Sequence, residues 1–139
     1  LELGRRRKET EVIKRDRITS SKDIFDSFHH RLIDLPHEEF HLIPLNTSNA
    51  VIRKEFISRG GVGGTMVDLK MIFKVALEHL ASSVILCHNH PSGNLKPSHE
   101  DIALTKKVKE AGKLLDIQVL DHVIFSDEGY YSFADDGMM

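Results

Sequence analysis

Ser83-Val84-Ile85-Leu86-Cys87-His88-Asn89-His90-Pro91-Ser92-Gly93-Asn94-Leu95-Lys96-Pro97-Ser98-His99-Glu100-Asp101 decides the fold of this chain. Its first five residues are a short, nearly continuous apolar run, which marks a strand buried on both faces. From His88 to Pro97 the Asn, Pro, Ser and Gly content predicts a loop. Ser98 then caps a helix reaching about Leu115. Residues 117–126 supply a further strand, and a return through a helix of that length allows it to lie parallel to the first. Strand, helix and strand around a buried centre predict an α/β fold.

Upstream, residues 68–80 read as a helix with Ile72, Val75, Ala76, His79 and Leu80 on one side. Before it, Gly60, Gly61, Gly63 and Gly64 surround Val62 without the Lys-Ser/Thr that a phosphate-binding loop requires. Residues 38–45 and 51–58 predict two strands joined by polar Asn46-Thr47-Ser48-Asn49, which is a hairpin signal. Ser20 and Asp23, three apart, form a capping box opening a helix to about Leu35, with Ile24, Phe28, Leu32 and Leu35 at helical spacing and Pro36 as the stop. Downstream, Asp127-Glu128-Gly129 turns into a last short strand over 130–133. The expectation is a mixed β-sheet with helices on both faces.

The 139 residues suffice for one compact domain with its own core. Apolar residues make up 40% and charged residues 29%, as in soluble globular proteins. No apolar run approaches the roughly 20 residues that span a bilayer, and the start has no signal-peptide pattern, so the reading is a cytoplasmic protein with no membrane partner. Cys87 is the one cysteine, which excludes an internal disulfide and every multi-cysteine zinc site. Any metal must therefore use histidines and carboxylates. The net charge of −2 gives no overall push toward nucleic acid. Charge is uneven, however: residues 1–17 carry seven Arg and Lys against four acids. That segment reads as a basic linker, able to touch DNA phosphates, ahead of a domain over 18–139. The chain begins at Leu1, not Met, and reads as a piece of something longer.

His88 and His90, one residue apart at a strand end, point the same way because strand side chains alternate. Asp101 enters the next helix and can turn back toward them. A strand end facing a helix N-terminus is where α/β sheets commonly hold ligands. Two imidazoles and a carboxylate suit Zn²⁺ with a fourth position open to water, the pattern of a catalytic rather than a structural zinc. By itself Asp101 reads first as part of a helix cap, since Ser98 and Asp101 also form a capping box. The matched spacing of all three favours the ligand reading. His29, His30, His37, His41, His79 and His99 have no ligand spacing and are assigned to surface or packing. Cys87 should point away from His88. The letters His-Asn-His also suggest a nuclease, but that motif draws its residues from separate parts of a hairpin-helix unit.

His88-x-His90, seven residues, Ser98, two residues, Asp101 resembles the JAMM motif of the JAB1/MPN metallo-isopeptidases. The wider string His88-Asn89-His90-Pro91-Ser92-Gly93, with Pro97-Ser98, Glu100-Asp101, Leu120-Asp121-His122 and Leu1-Glu2-Leu3-Gly4-Arg5-Arg6, resembles the bacterial RadC family over nearly the whole chain. The resemblance implies the JAB1/MPN, cytidine-deaminase-like architecture, and a helix-hairpin-helix region ahead of the opening stretch. It implies zinc held by His88, His90 and Asp101, with Glu38 as general base and Ser98 assisting the oxyanion. Alignment on Phe40 selects Glu38 over Glu39, its neighbour on the opposite strand face. Asp121 and His122 are candidates for orienting the ligands from behind, although a buried strand histidine held by local hydrogen bonds fits His122 equally. Where RadC-like sequences usually carry Pro-Arg-Glu, this chain has Leu69-Lys70-Met71.

The expected activity is hydrolysis of a peptide or isopeptide bond in a peptide or protein substrate. The alternative is a DNA-associated repair or recombination module with a structural or vestigial metal. Sheet edges leave room for a homo-oligomer.

Overall fold

The computed structural model describes residues 16–60 and 67–139. The basic stretch before residue 16 and the glycine-rich segment 61–66 lie outside them. The elements in chain order are α1 (Ser21–Leu32), β1 (Glu39–Leu45), β2 (Glu55–Arg59), α2 (Leu69–Glu78), β3 (Ser83–Asn89), α3 (His99–Leu114), β4 (Gln118–Ser126) and β5 (Gly129–Ser132). The strands form one sheet in the order β2-β1-β3-β4-β5. Only β3 and β4 run parallel; the other neighbours are antiparallel. This is the mixed α/β sheet that the alternation of elements predicts.

Capping explains where the helices begin. Ser20 accepts from the Asp23 amide, Asp68 from the Lys70 amide and Ser98 from the Asp101 amide, each side chain satisfying one donor that a helix start leaves over. The first helix ends at Leu32, short of Leu35. The hairpin differs more. Its second strand starts at Glu55, and residues 50 and 51 make only isolated bridges, to Arg17 and Leu45. Pro44 is the cause: its carbonyl accepts from Ile52 on the β2 side, and the same edge lacks the N–H that a regular ladder needs there. The Val51 amide also donates to the Asp16 carbonyl and the Ile18 amide to the Asn49 carbonyl, on either side of the Arg17–Ala50 bridge.

Each face of the sheet carries its own core. Leu42, Val84, Leu86 and Val119 pack under α2 and α3 with Ile72, Ala76 and Val108. Ile43, Leu45, Ile85, Cys87, Val123 and Phe125 pack under α1 with Ile24, Phe28 and Leu32. All seven residues of β3 are buried, as expected for the central strand of a covered sheet. Alternation along β3 puts His88 on the α3 face with Val84 and Leu86. Cys87 and Asn89 fall on the α1 face. The strand runs two residues further than its composition suggests, carrying His88 into the sheet.

Candidate metal centre

β3 ends beside the N-terminus of α3, and the side chains of His88, His90 and Asp101 meet there. His88 Nε2 lies 3.0 Å from His90 Nε2 and 3.2 Å from Asp101 Oδ1; His90 Nε2 lies 3.3 Å from Asp101 Oδ2. Among the described residues these three form the one group of histidine, cysteine or carboxylate side chains with ligand atoms close enough to share an ion.

Local structure explains the convergence. His88 is held in the β1–β3 ladder opposite Phe40, whose ring stacks on it at 5.8 Å. Just past the strand, His90 donates its backbone N–H to the Phe125 carbonyl, and its own carbonyl accepts from Gly93. Gly93 sits at φ 86°, the left-handed region that this turn demands. Asp101 is held by the capping box: its Oδ2 accepts from the Ser98 amide at 2.9 Å while Ser98 Oγ accepts from the Asp101 amide at 3.0 Å. The cap and the ligand reading are therefore compatible, because one carboxylate serves both.

The hydrogen bonds behind the cluster decide what its atoms can do. His90 Nδ1 lies 2.6 Å from the Asn94 carbonyl, which only accepts, so Nδ1 carries the hydrogen and Nε2 keeps a lone pair. A longer chain orients His88. Thr105 Oγ donates to the Asp101 carbonyl at 2.7 Å and lies 2.6 Å from His122 Nδ1. With its hydrogen committed, Thr105 accepts from His122 Nδ1–H. His122 Nε2 then accepts from His88 Nδ1–H, 2.8 Å away. His88 is thus left with a lone pair on Nε2. Two imidazole lone pairs and a carboxylate aimed at one point form an acceptor set that a divalent cation satisfies, and N,N,O ligation suits zinc. The residues fit the metal.

The electrostatics agree. Burial opposes the charged form of Asp101, but in the absence of an ion a proton taken up on His88 or His90 Nε2 hydrogen-bonds the carboxylate, which outweighs burial and holds the carboxyl well below its usual range. Burial likewise pulls the His90 pKa down, and the Asp101 carboxylate more than reverses it, so His90 binds a proton more tightly than an ordinary histidine. His122 is fully buried, and desolvation, reinforced by His88, keeps its pKa well below the usual value.

Glu38 is the carboxylate that reaches the cluster, with Oε1 4.0 Å from His90 Nε2. Glu39 points to the other face, held by His37 Nε2 at 2.9 Å and His41 Nε2 at 3.0 Å. Ser98 is exposed at the rim. The bond from the Asp101 amide uses a lone pair of its Oγ and not its hydrogen, so the hydroxyl keeps its capacity to donate. An open groove of about 1070 Å³ runs past these groups, walled also by Phe40, Val67, Leu69, Leu104 and Lys107. Leu69, the first residue of the Leu69-Lys70-Met71 departure, forms part of that wall.

Of the two residues expected behind the ligands, the structure brings only His122 there. Asp121 turns to the opposite face, where Ser132 Oγ donates to it at 2.6 Å and the Ala134 and His122 amides at 3.0 and 2.7 Å. Strand alternation forbids both neighbours from facing one side. Thr105 escaped the sequence reading, although its place one helical turn after Asp101 was a usable signal.

Comparison with known proteins agrees with this geometry. A family model described as RadC-like JAB domain matches residues 18–138. A UPF0758 protein of Flavobacterium johnsoniae is 51% identical over 138 residues, covering 99% of this chain and 60% of the relative. UPF0758 proteins of Porphyromonas gingivalis and Staphylococcus carnosus are 44% and 40% identical, covering 100% and 98% of the chain. The chain spans about three fifths of the length of these relatives. With its sheet, its histidine–aspartate cluster and this match all in agreement, the chain belongs to the RadC-like JAB domain family.

Proposed function

We propose that this domain is a zinc-dependent hydrolase of peptide or isopeptide bonds. The observation that carries the reading is the acceptor set itself: two Nε2 lone pairs and the Asp101 carboxylate, within 3.3 Å of one another, at the floor of an open groove. Zinc bound by these atoms supplies a Lewis acid and lowers the pKa of a coordinated water to about 7. The chain's own residues do the rest. Glu38, beside His90, takes the proton of the attacking water and returns it to the leaving nitrogen. Ser98 donates its hydroxyl hydrogen to the oxygen on which charge develops, a contribution worth about 2.7–4 kcal/mol in comparable sites. Phe40 and Leu69 keep the groove wall apolar, which strengthens electrostatic interactions at the reacting bond.

The test is metal analysis of protein purified without chelator, followed by cleavage assays on libraries of linear and isopeptide-branched peptides. Wild type should contain zinc and cleave. Asp101→Asn should lose both properties. Glu38→Gln should keep the metal and lose cleavage by roughly 10²–10⁴-fold. Protein that neither holds zinc nor regains it would end the proposal. Salt-dependent DNA binding that survives Asp101→Asn, without cleavage of any peptide, would favour the DNA-associated alternative.

A further inference from the structure

Asn89 stands between the two histidines, yet it offers nothing to an ion, because it lies on the α1 face of β3. It is nevertheless only 2% exposed. Its carboxamide is spent on the backbone of the segment leading into β1: Oδ1 accepts from the Glu39 amide at 2.8 Å, and Nδ2 donates to the His37 carbonyl at 3.0 Å. Those two backbone groups bracket Glu38. The regular β1–β3 register stops at Phe40 opposite His88. Beyond that rung, the Asn89 side chain replaces strand pairing at the residues that carry Glu38. From the other side, the Gly60 amide donates to the Glu38 carbonyl at 2.8 Å. The backbone of Glu38 is therefore clamped between β2 and a side chain of the ligand-bearing strand.

We infer that Asn89 is a positioning residue that registers Glu38 against the metal ligands, tying the base and two ligands to one strand end. A buried amide with both ends engaged is costly to leave unsatisfied, and this one spans the gap between the ligand strand and the Glu38 segment. The inference rests on the role of Glu38 in the proposed function. It adds the reason why Glu38, on a segment past the last ladder rung, keeps a defined distance from His90.

Cobalt(II) tests this without a substrate. The pH midpoint of its visible spectrum reports the charged groups facing the ion, so it is measured in wild type, Glu38→Gln, Asn89→Ala and the double variant. Asn89→Ala should move the midpoint in the direction of Glu38→Gln, and the double variant should move it no further than Glu38→Gln alone. Cobalt affinity should fall by far less than the roughly 10–100-fold loss that follows removal of a partner touching a ligand. Hydrogen exchange at the Glu39 amide should quicken. Should Asn89→Ala not fold, Asn89→Thr, whose hydroxyl is too short to bridge, is expected to give the same pattern. An Asn89 variant that binds cobalt with the wild-type midpoint, or shifts that add in the double variant, would overturn the inference. If wild type takes up no cobalt, or Glu38→Gln leaves the midpoint unmoved, the proposed function fails first and this inference with it.

Discussion

Thr105 gives its hydroxyl hydrogen to the Asp101 carbonyl, and that bond determines which nitrogens of two buried histidines carry hydrogen. The effect passes through His122 to His88 and ends with a lone pair facing Asp101. The circuit is closed, since His88 Nε2 lies 3.2 Å from Asp101 Oδ1. Outer partners of this kind typically hold roughly 10–100-fold of metal affinity. His122→Leu is therefore expected to weaken zinc binding by about that factor, read by chelator competition. Thr105→Val should weaken it in the same direction while leaving the fold intact. Nitrogen NMR should find the His88 hydrogen on Nδ1 in wild type. Wild-type affinity in both variants would remove the circuit from the account. The histidine pair and Asp101 were legible from spacing; the partner of His88 was not, because residues 88, 105 and 122 meet only after the sheet forms.

Among the elements, β4 shows how one irregularity reassigns side chains. Val84 pairs with Val119, but Ile85 pairs with Asp121, so Leu120 is an extra residue in the ladder. Such a bulge reverses the alternation beyond it. Val119 faces α3 while Asp121 faces the other way, and His122 takes the site face. Asp121-His122 as a string gives no hint of this reversal. The junction between α3 and β4 is equally specific. The Ile117 amide donates to the Gly112 carbonyl at 2.8 Å, with Asp116 between them at φ 57°. A Cβ on Gly112 would run into the Ile117 carbonyl oxygen. Alanine is ordinarily the better helix former by about 1 kcal/mol, yet Gly112→Ala is expected to destabilise by roughly 1–3 kcal/mol because the backbone must give way. Urea unfolding measures this, and a gain in stability would refute the close approach.

At the scale of the whole molecule, a metal held by this cluster would couple binding to folding, since the cluster draws on β3, the following loop and α3. Zinc at 100 times its dissociation constant should stabilise by about 2.7 kcal/mol, raising Tm on the order of 8 °C for a chain of this size. The pH dependence follows from His90. Its raised pKa means that in the metal-free protein a proton competes for Nε2 up to a higher pH than for an ordinary histidine. Zinc stabilisation should be full above that raised value and shrink as pH falls through it. Thermal melts with and without zinc at pH 8 and pH 5 check this, with Asp101→Asn as control. An equal shift at both pH values, or in the control, would contradict ligation by this cluster. No helix among the described residues is long and apolar enough to cross a membrane.

Local sequence by itself determined the helix caps, the buried central strand, the rule that only one of Glu38 and Glu39 can face the site, and the spacing of His88, His90 and Asp101, while the resemblance on Phe40 selected Glu38. Each is a short-range property, set by side-chain period or by hydrogen bonds within a few residues. Tertiary structure alone decided that His122 rather than Asp121 backs His88, that Thr105 directs the hydrogens, and that Asn89 bonds the backbone on either side of Glu38. Those facts depend on register between strands, and register is a property of paired chains that neither strand carries alone.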